Sequence, residues 1–297
     1  MVEYLFLIFA IICIGGQFSL SKLYQVKVGN GAITSFSFSL ISSFFAIIAF
    51  ACVCKFNITF NWFSFLTAAG GTLCIALYTV VGMKMMSIGK VAIYTMILMM
   101  GGMFIPFLYG VIFLDEAISV YKVLGVVLLI VALIMPIWEN RNEKNKKPKL
   151  FALLSAIVFF ANGMVGVFNK MHQTSEKAIS TYEFGFWQSV ISFLALCVIV
   201  FLYYIFNKEK NETKEKLKLS LSKWLIILFF MIISQGGAIF QLFAAKTVAA
   251  SVMFPIVTGG TMVASTIFGK IFFKEKIDKF LIFGLLFSII STIFFIV

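Results

Sequence analysis

The stretch IFFKEKI at residues 271 to 277 repeats, in altered spelling, IFLDEAI at residues 112 to 118, 159 positions earlier. In each, an apolar run stops at a polar pair that ends in a glutamate, Glu116 in the first and Glu275 in the second. A phrase written twice at this distance raises the question of whether the whole chain is written twice.

The surrounding composition sets the frame for that question. The 297 residues are 62% hydrophobic and 12% charged, against about 45–50% and about 25% in soluble domains. The chain reads as a membrane protein. With about 20 apolar residues per crossing, its length accommodates about ten spans and leaves little for a soluble domain. The N-terminus, MVEYLFLIFAIICIGGQF, is apolar at once, without a basic leader segment or a small-residue cleavage site, and is expected to be the first span. The cysteines 13, 52, 54, 74 and 197 all lie in apolar runs, where cysteine behaves as a small hydrophobe. No disulfide, metal site or cofactor is expected.

Apolar runs fall near 4–21, 32–54, 62–81, 91–114 and 120–138, and, after the basic segment 139–149, near 150–169, 180–206, 222–245, 248–273 and 280–297. None shows the short alternating pattern of a membrane barrel strand, so each is predicted to be a helix. The halves then align in order. Lys22 answers Lys170, Trp62 answers Trp224, Lys84 answers Lys246, Glu116 answers Glu275 and Gly125 answers Gly284; the glycine pairs 101–102 and 259–260 match within a residue. Five helices per half send the second copy across the bilayer in the opposite sense. The predicted fold is therefore an all-α integral membrane protein of ten transmembrane helices in two inverted five-helix repeats, residues 1–138 and 150–297, joined by the linker 139–149. Inverted repeats are the architecture of secondary transporters, with a site near the midplane between the halves.

The segments FLDEAISVYKVLGVVLLIVAL (113–133) and FFKEKIDKFLIFGLLFSIIST (272–292), with GMKMMSIGKVA (82–92) and AAKTVAASVMF (244–254), resemble the drug/metabolite transporter superfamily, in particular its ten-helix members with two EamA-type domains. The resemblance spans essentially the whole chain. It implies a multi-pass transporter of the cell membrane with a small-molecule substrate, and it makes Glu116 and Glu275 a structural turn signature. It says almost nothing about cargo.

Candidate site residues are the polar groups inside spans, because an amide or hydroxyl in lipid must find a partner helix or a ligand. These are Gln17, Tyr78, Tyr94, Asn162, Gln235 and Gln241. Gln235 and Gln241 stand six residues apart, so at most one is expected to face a cavity. Glu183, in STYEFGFWQSV (180–190) with Trp187 one turn on, has two readings. It is either a cation-binding or proton-coupled group facing the cavity, or an interfacial acid in the first turn of helix seven within an aromatic belt. Lys22 and Lys170 are expected to mark the membrane boundary by snorkelling. Pro106 and Pro255 are expected to kink the fourth helix of each half. The methionines between 83 and 103 are expected to pack.

Rival functions fare worse. A membrane-embedded enzyme needs converging acids, bases or metal ligands, but the chain has one histidine, His172, and two aspartates, Asp115 and Asp278, all apart. No GxxxxGK loop marks a pump, no ring of charge marks a channel, and nothing points to nucleic acid. Arg141, the sole arginine, lies in the linker, which disfavours a phosphorylated cargo. A neutral or cationic organic metabolite or drug is the expectation. The loops that follow odd-numbered helices hold 19 of the 24 Lys and Arg residues. This charge bias puts those loops in the cytoplasm and both termini outside, whereas the resemblance implies cytoplasmic termini.

Overall fold

A computed structural model of the chain describes residues 2–29, 32–88, 91–138, 148–206, 221–274 and 279–296. Among the described residues there are ten helices: α1 (Val2–Val28), α2 (Ala32–Val53), α3 (Trp62–Ile88), α4 (Val91–Phe113), α5 (Val120–Trp138), α6 (Pro148–Thr174), α7 (Thr181–Phe206), α8 (Leu221–Thr247), α9 (Ala250–Phe273) and α10 (Lys279–Ile296). No strand occurs among the described residues. By length and composition seven of the helices can cross a bilayer, and α4, α5 and α10 contribute shorter apolar stretches, Ile97–Phe113, Val120–Ile134 and Ile282–Phe295.

The helices α1, α3, α6 and α8 each have 27 residues, about 40 Å at 1.5 Å per residue, which exceeds the hydrocarbon core of about 30 Å. Their polar ends therefore continue as helix beyond the apolar run. Lys170 consequently does not end α6 at the boundary: it is inside the helix and 4% exposed. The outer surface carries large exposed apolar residues such as Ile8, Phe9, Leu66, Phe201 and Phe229, a surface suited to lipid.

Packing follows an exchange of partners between the halves. α1 lies against α8 and α9, while α6 lies against α3 and α4; α2 meets α7, α4 meets α9 and α5 meets α10. Swapping α1–α5 for α6–α10 maps these principal pairs onto themselves. The close contacts are cut by glycine on both sides of the swap. A Cβ on Gly102 would stand 2.5 Å from the Asn162 amide nitrogen, and one on Gly101 would collide with the Phe159 carbonyl. In the mirrored interface a Cβ on Gly15 would stand 2.6 Å from that of Ala264, and one on Gly260 would stand 2.5 Å from Ile11. Small residues let backbones approach where lipid offers no hydrophobic drive to association. Pro106 and Pro255 are both fully buried within continuous helices.

The duplicated phrase is a duplicated turn. Asp115 and Lys274, 159 residues apart, hold the left-handed backbone at φ 51° and 53°, a conformation that costs a non-glycine residue about 1 kcal/mol or more. Before each turn stands a glycine, Gly110 or Gly269, whose carbonyl accepts a hydrogen bond that closes the helix end: from Glu116 N–H in the first turn and from Lys274 N–H in the second. Glu275 lies outside the described residues.

Candidate functional site

Where α1–α4 meet α6–α9 the helices enclose a cavity of about 470 Å³. Its walls repeat the duplication. Ile14, Gln17 and Phe18 on α1 line it together with Asn162, Val165 and Gly166 at the corresponding positions of α6, and Leu98, Met99 and Gly102 on α4 line it with Val257, Thr258 and Thr261 on α9. Ser43 on α2 and Ser192 on α7 face each other across the middle, hydroxyl to hydroxyl at 3.3 Å. The cavity therefore straddles the axis that exchanges the two halves.

Its polar lining is built of carboxamides and hydroxyls, and none of the described lining residues carries a formal charge. The Gln188 amide donates to Asn169 Oδ1 at 2.9 Å, and the Asn162 amide donates to the Leu98 carbonyl at 2.7 Å. The hydroxyls of Thr72 and Thr261 are buried without a hydrogen-bond partner. Phe18, Tyr78 and Phe254 add aromatic surface. A smaller cavity of about 180 Å³ shares Ser43, Thr72, Ser192, Ser234 and Gln235 with the first. It continues past Ser39, Thr79, Ile199 and Phe230, toward the ends of α2, α3, α7 and α8 that carry the basic loops.

Of the residues singled out from sequence, Gln17, Tyr78, Asn162, Gln235 and Gln241 line the cavity; Tyr94, Glu183 and Trp187 do not. Gln235 and Gln241 both line it, contrary to the expectation of at most one. Ser234, Ala238 and Gln241 form one stripe of α8 and Gln235 flanks it, so at about 100° per residue the cavity wraps roughly a third of that helix. Tyr94 packs against the buried cluster of Met85, Phe151 and Val158. Asn169, Gln188, Thr72, Thr261, Ser43 and Ser192 are among the lining groups that sequence reasoning passed over. The available signal was a polar stripe at helical spacing, as in Asn162 and Asn169, or Gln188 and Ser192.

Glu183 sits at the start of α7, at the face where the chain termini and the loops after even-numbered helices lie. Its Oε2 accepts from the Ser180 N–H at 3.0 Å and hydroxyl at 2.6 Å, and its Oε1 accepts from the Thr59 N–H at 2.8 Å and hydroxyl at 2.6 Å. Ser180 donates and also accepts, from the Glu183 N–H at 3.3 Å. This is a reciprocal cap of the S-x-x-E type, tied to the α2–α3 loop. Trp187 completes the knot: its indole donates to the Thr59 carbonyl at 3.1 Å and its rings meet Phe60 and Phe65 edge-on. The same face holds a buried His172. Gln173 donates to its Nδ1 at 2.9 Å, so its Nε2 carries the proton toward Ser64 at 3.0 Å, and its ring stacks on Phe184 at 3.7 Å.

A second knot on that face surrounds the α8–α9 turn. Ala249 at the N-terminus of α9 has no side-chain cap; Glu116 supplies one from the other half, accepting from Ala250 N–H at 2.6 Å and Ser251 N–H at 2.7 Å. Lys170 donates to the Ala245 and Val248 carbonyls at the end of α8, at 2.8 and 2.6 Å. An acid at a helix start and an ammonium at a helix end oppose the helix dipoles. Lys122 adds donations to Ala117 O at 2.7 Å and Ser251 Oγ at 3.2 Å. Lys170 is thus a buried capping group, not a snorkelling boundary lysine.

Fold and cavity together define a multi-pass helical membrane protein with an internal polar chamber. The model of the EamA-like transporter family matches residues 147–297, more than half of the chain. The chain belongs to that family, and it is a membrane transporter of the drug/metabolite transporter superfamily; family members are transporters, not enzymes. No curated protein sequence matches it. A crystal structure of a protein 10% identical to it superposes with a TM-score of 0.74, covering 97% of this chain and 94% of that one. At that identity the likeness is one of fold alone.

Proposed function

We propose that the chain is a secondary active transporter of the cell membrane that moves a small organic metabolite or drug by alternating access, with residues 1–138 and 150–297 as its two inverted repeat units. One observation carries this reading: the cavity lies on the axis relating the halves, lined by corresponding positions of both. When two inverted units exchange conformations, a site on their axis opens to the opposite face. The face that holds the termini is tied shut by the Glu116, Lys170, Glu183 and His172 contacts, and the polar path continues toward the face of the basic loops. With those loops in the cytoplasm, this is an inward-facing arrangement. Glu183 lies outside the cavity, so a proton coupled to transport through it would act at the face that holds the termini and not by contact with the cargo.

Purified protein in proteoliposomes preloaded with a metabolite extract tests the reading. Saturable counterflow of at least one solute, read by mass spectrometry and abolished by heat-inactivation, is expected. Non-saturable flux of many solutes would instead identify a pore.

A further inference from the structure

Resting on the transport reading for its setting, we infer that the cavity recognises an uncharged planar solute through a neutral amide edge, a C=O acceptor beside an N–H donor, as in a lactam ring or an aryl carboxamide. The first ground is the supply of hydrogen bonds. Gln17, Gln235 and Gln241 have no hydrogen-bond partner among the described residues, and Thr72 and Thr261, 3% and 4% exposed, hold hydroxyls buried and unpaired. Buried polar groups are almost always satisfied, so the two hydroxyls ask for a ligand, and the three half-buried carboxamides stand open in the same wall to meet it. Each free carboxamide offers both a donor and an acceptor, and the group that answers both at once is another amide.

The second ground is charge. None of the described lining residues is ionised, and a buried ion without a partner is strongly disfavoured. Helix ends are the usual substitute for charged side chains in such sites. Here the start of α9 already holds the Glu116 carboxylate and the end of α8 already holds the Lys170 ammonium. Neither remains available to a ligand's carboxylate, phosphate or ammonium. The third ground is shape, since Phe18 and Phe254 offer aromatic faces to a flat ring.

Isosteric pairs test the inference directly: nicotinamide against nicotinate, and orotamide against orotate, each titrated onto the purified full chain in nanodiscs and read by thermal shift and by scintillation proximity with labelled ligand. The neutral member of at least one pair is expected to bind, with its charged isostere weaker by about tenfold or more. Gln241→Leu and Gln17→Leu are expected to weaken the neutral ligand by about tenfold while leaving the ligand-free melting temperature unchanged or higher, because each removes an unpaired amide. Charged members that bind as well as their partners, or no binding by either neutral member, would overturn the inference. The two readings fail separately. Selective binding without counterflow in proteoliposomes removes the transport reading alone, and counterflow of a charged solute with no neutral binding removes this one alone.

Discussion

Ser43 and Ser192 hydrogen-bond to each other at 3.3 Å although they lie 149 residues apart, on α2 and α7, the second helix of each half. A bond between corresponding residues of two inverted units sits on their axis, at the one place where both units must separate or slide if the cavity is to change face.

Cysteines at both positions, in a background where the five native cysteines are replaced, are expected to cross-link on mild oxidation, because the two side-chain tips already approach within contact. Counterflow in proteoliposomes should then stop and return on reduction. Wild-type counterflow by the cross-linked protein would show that this pair stays together through the cycle.

The capped α8–α9 turn predicts a stability effect. Glu116→Gln replaces a carboxylate that accepts two backbone N–H groups and is expected to destabilise by about 1–3 kcal/mol. Lys170→Met, which uncaps two carbonyls, is expected to cost a similar amount. Because both act on one turn, the double variant should lose less than the sum. Thermal melting in detergent reads all three, and an unchanged melt for Glu116→Gln would mean that the start of α9 is satisfied some other way.

For Glu183 the geometry predicts a cap more than a coupling group. Glu183→Gln should lower stability by about 1 kcal/mol while transport per folded molecule and its dependence on external pH stay near wild type. Lost transport at an unchanged melting temperature would restore a direct role in coupling.

Two glycines separate packing from mere helix content. Gly101→Ala drives a Cβ into the Phe159 carbonyl, whereas a Cβ at Gly236 meets nothing within 4 Å. The first variant is expected to lose most of its folded yield in membranes. The second should be neutral or gain about 0.5–1 kcal/mol from lower backbone entropy in the unfolded chain. Fluorescence-detected size-exclusion profiles distinguish the two, and equal profiles would mean that α4 and α6 can move apart freely.

The helices and their pairing into corresponding halves were legible because lipid demands long apolar runs and duplication leaves charged markers such as Glu116 and Lys170 in order. Helix ends were less so. An apolar run reports where lipid stops, not where the backbone hydrogen bonds stop, and α6 continues to Thr174, past Lys170. In the cavity, the intramembrane amides gave Gln17, Asn162, Gln235 and Gln241. Thr72, Thr261 and Ser43 stayed hidden because a hydroxyl in a helix can bond its own backbone, so sequence alone does not distinguish one that does from one that faces open space. For Glu183 the sequence left two readings open, a cavity group or an interfacial acid in the first turn of α7, because its hydrogen-bond partner Thr59 lies 124 residues away and no local pattern announces it.

The glycine-cut contacts have a consequence for how the molecule comes into being. Gly15 meets Ala264 and Gly101 meets Phe159 too closely for a Cβ to fit between them, so each half keeps a close seat for a helix of the other. A chain severed between α5 and α6 would give two fragments with mismatched grooves, neither able to complete itself in the bilayer. Co-expressed, they should find each other and complement. Synthesised alone, each is expected to wait in the membrane as an unfinished piece and be degraded.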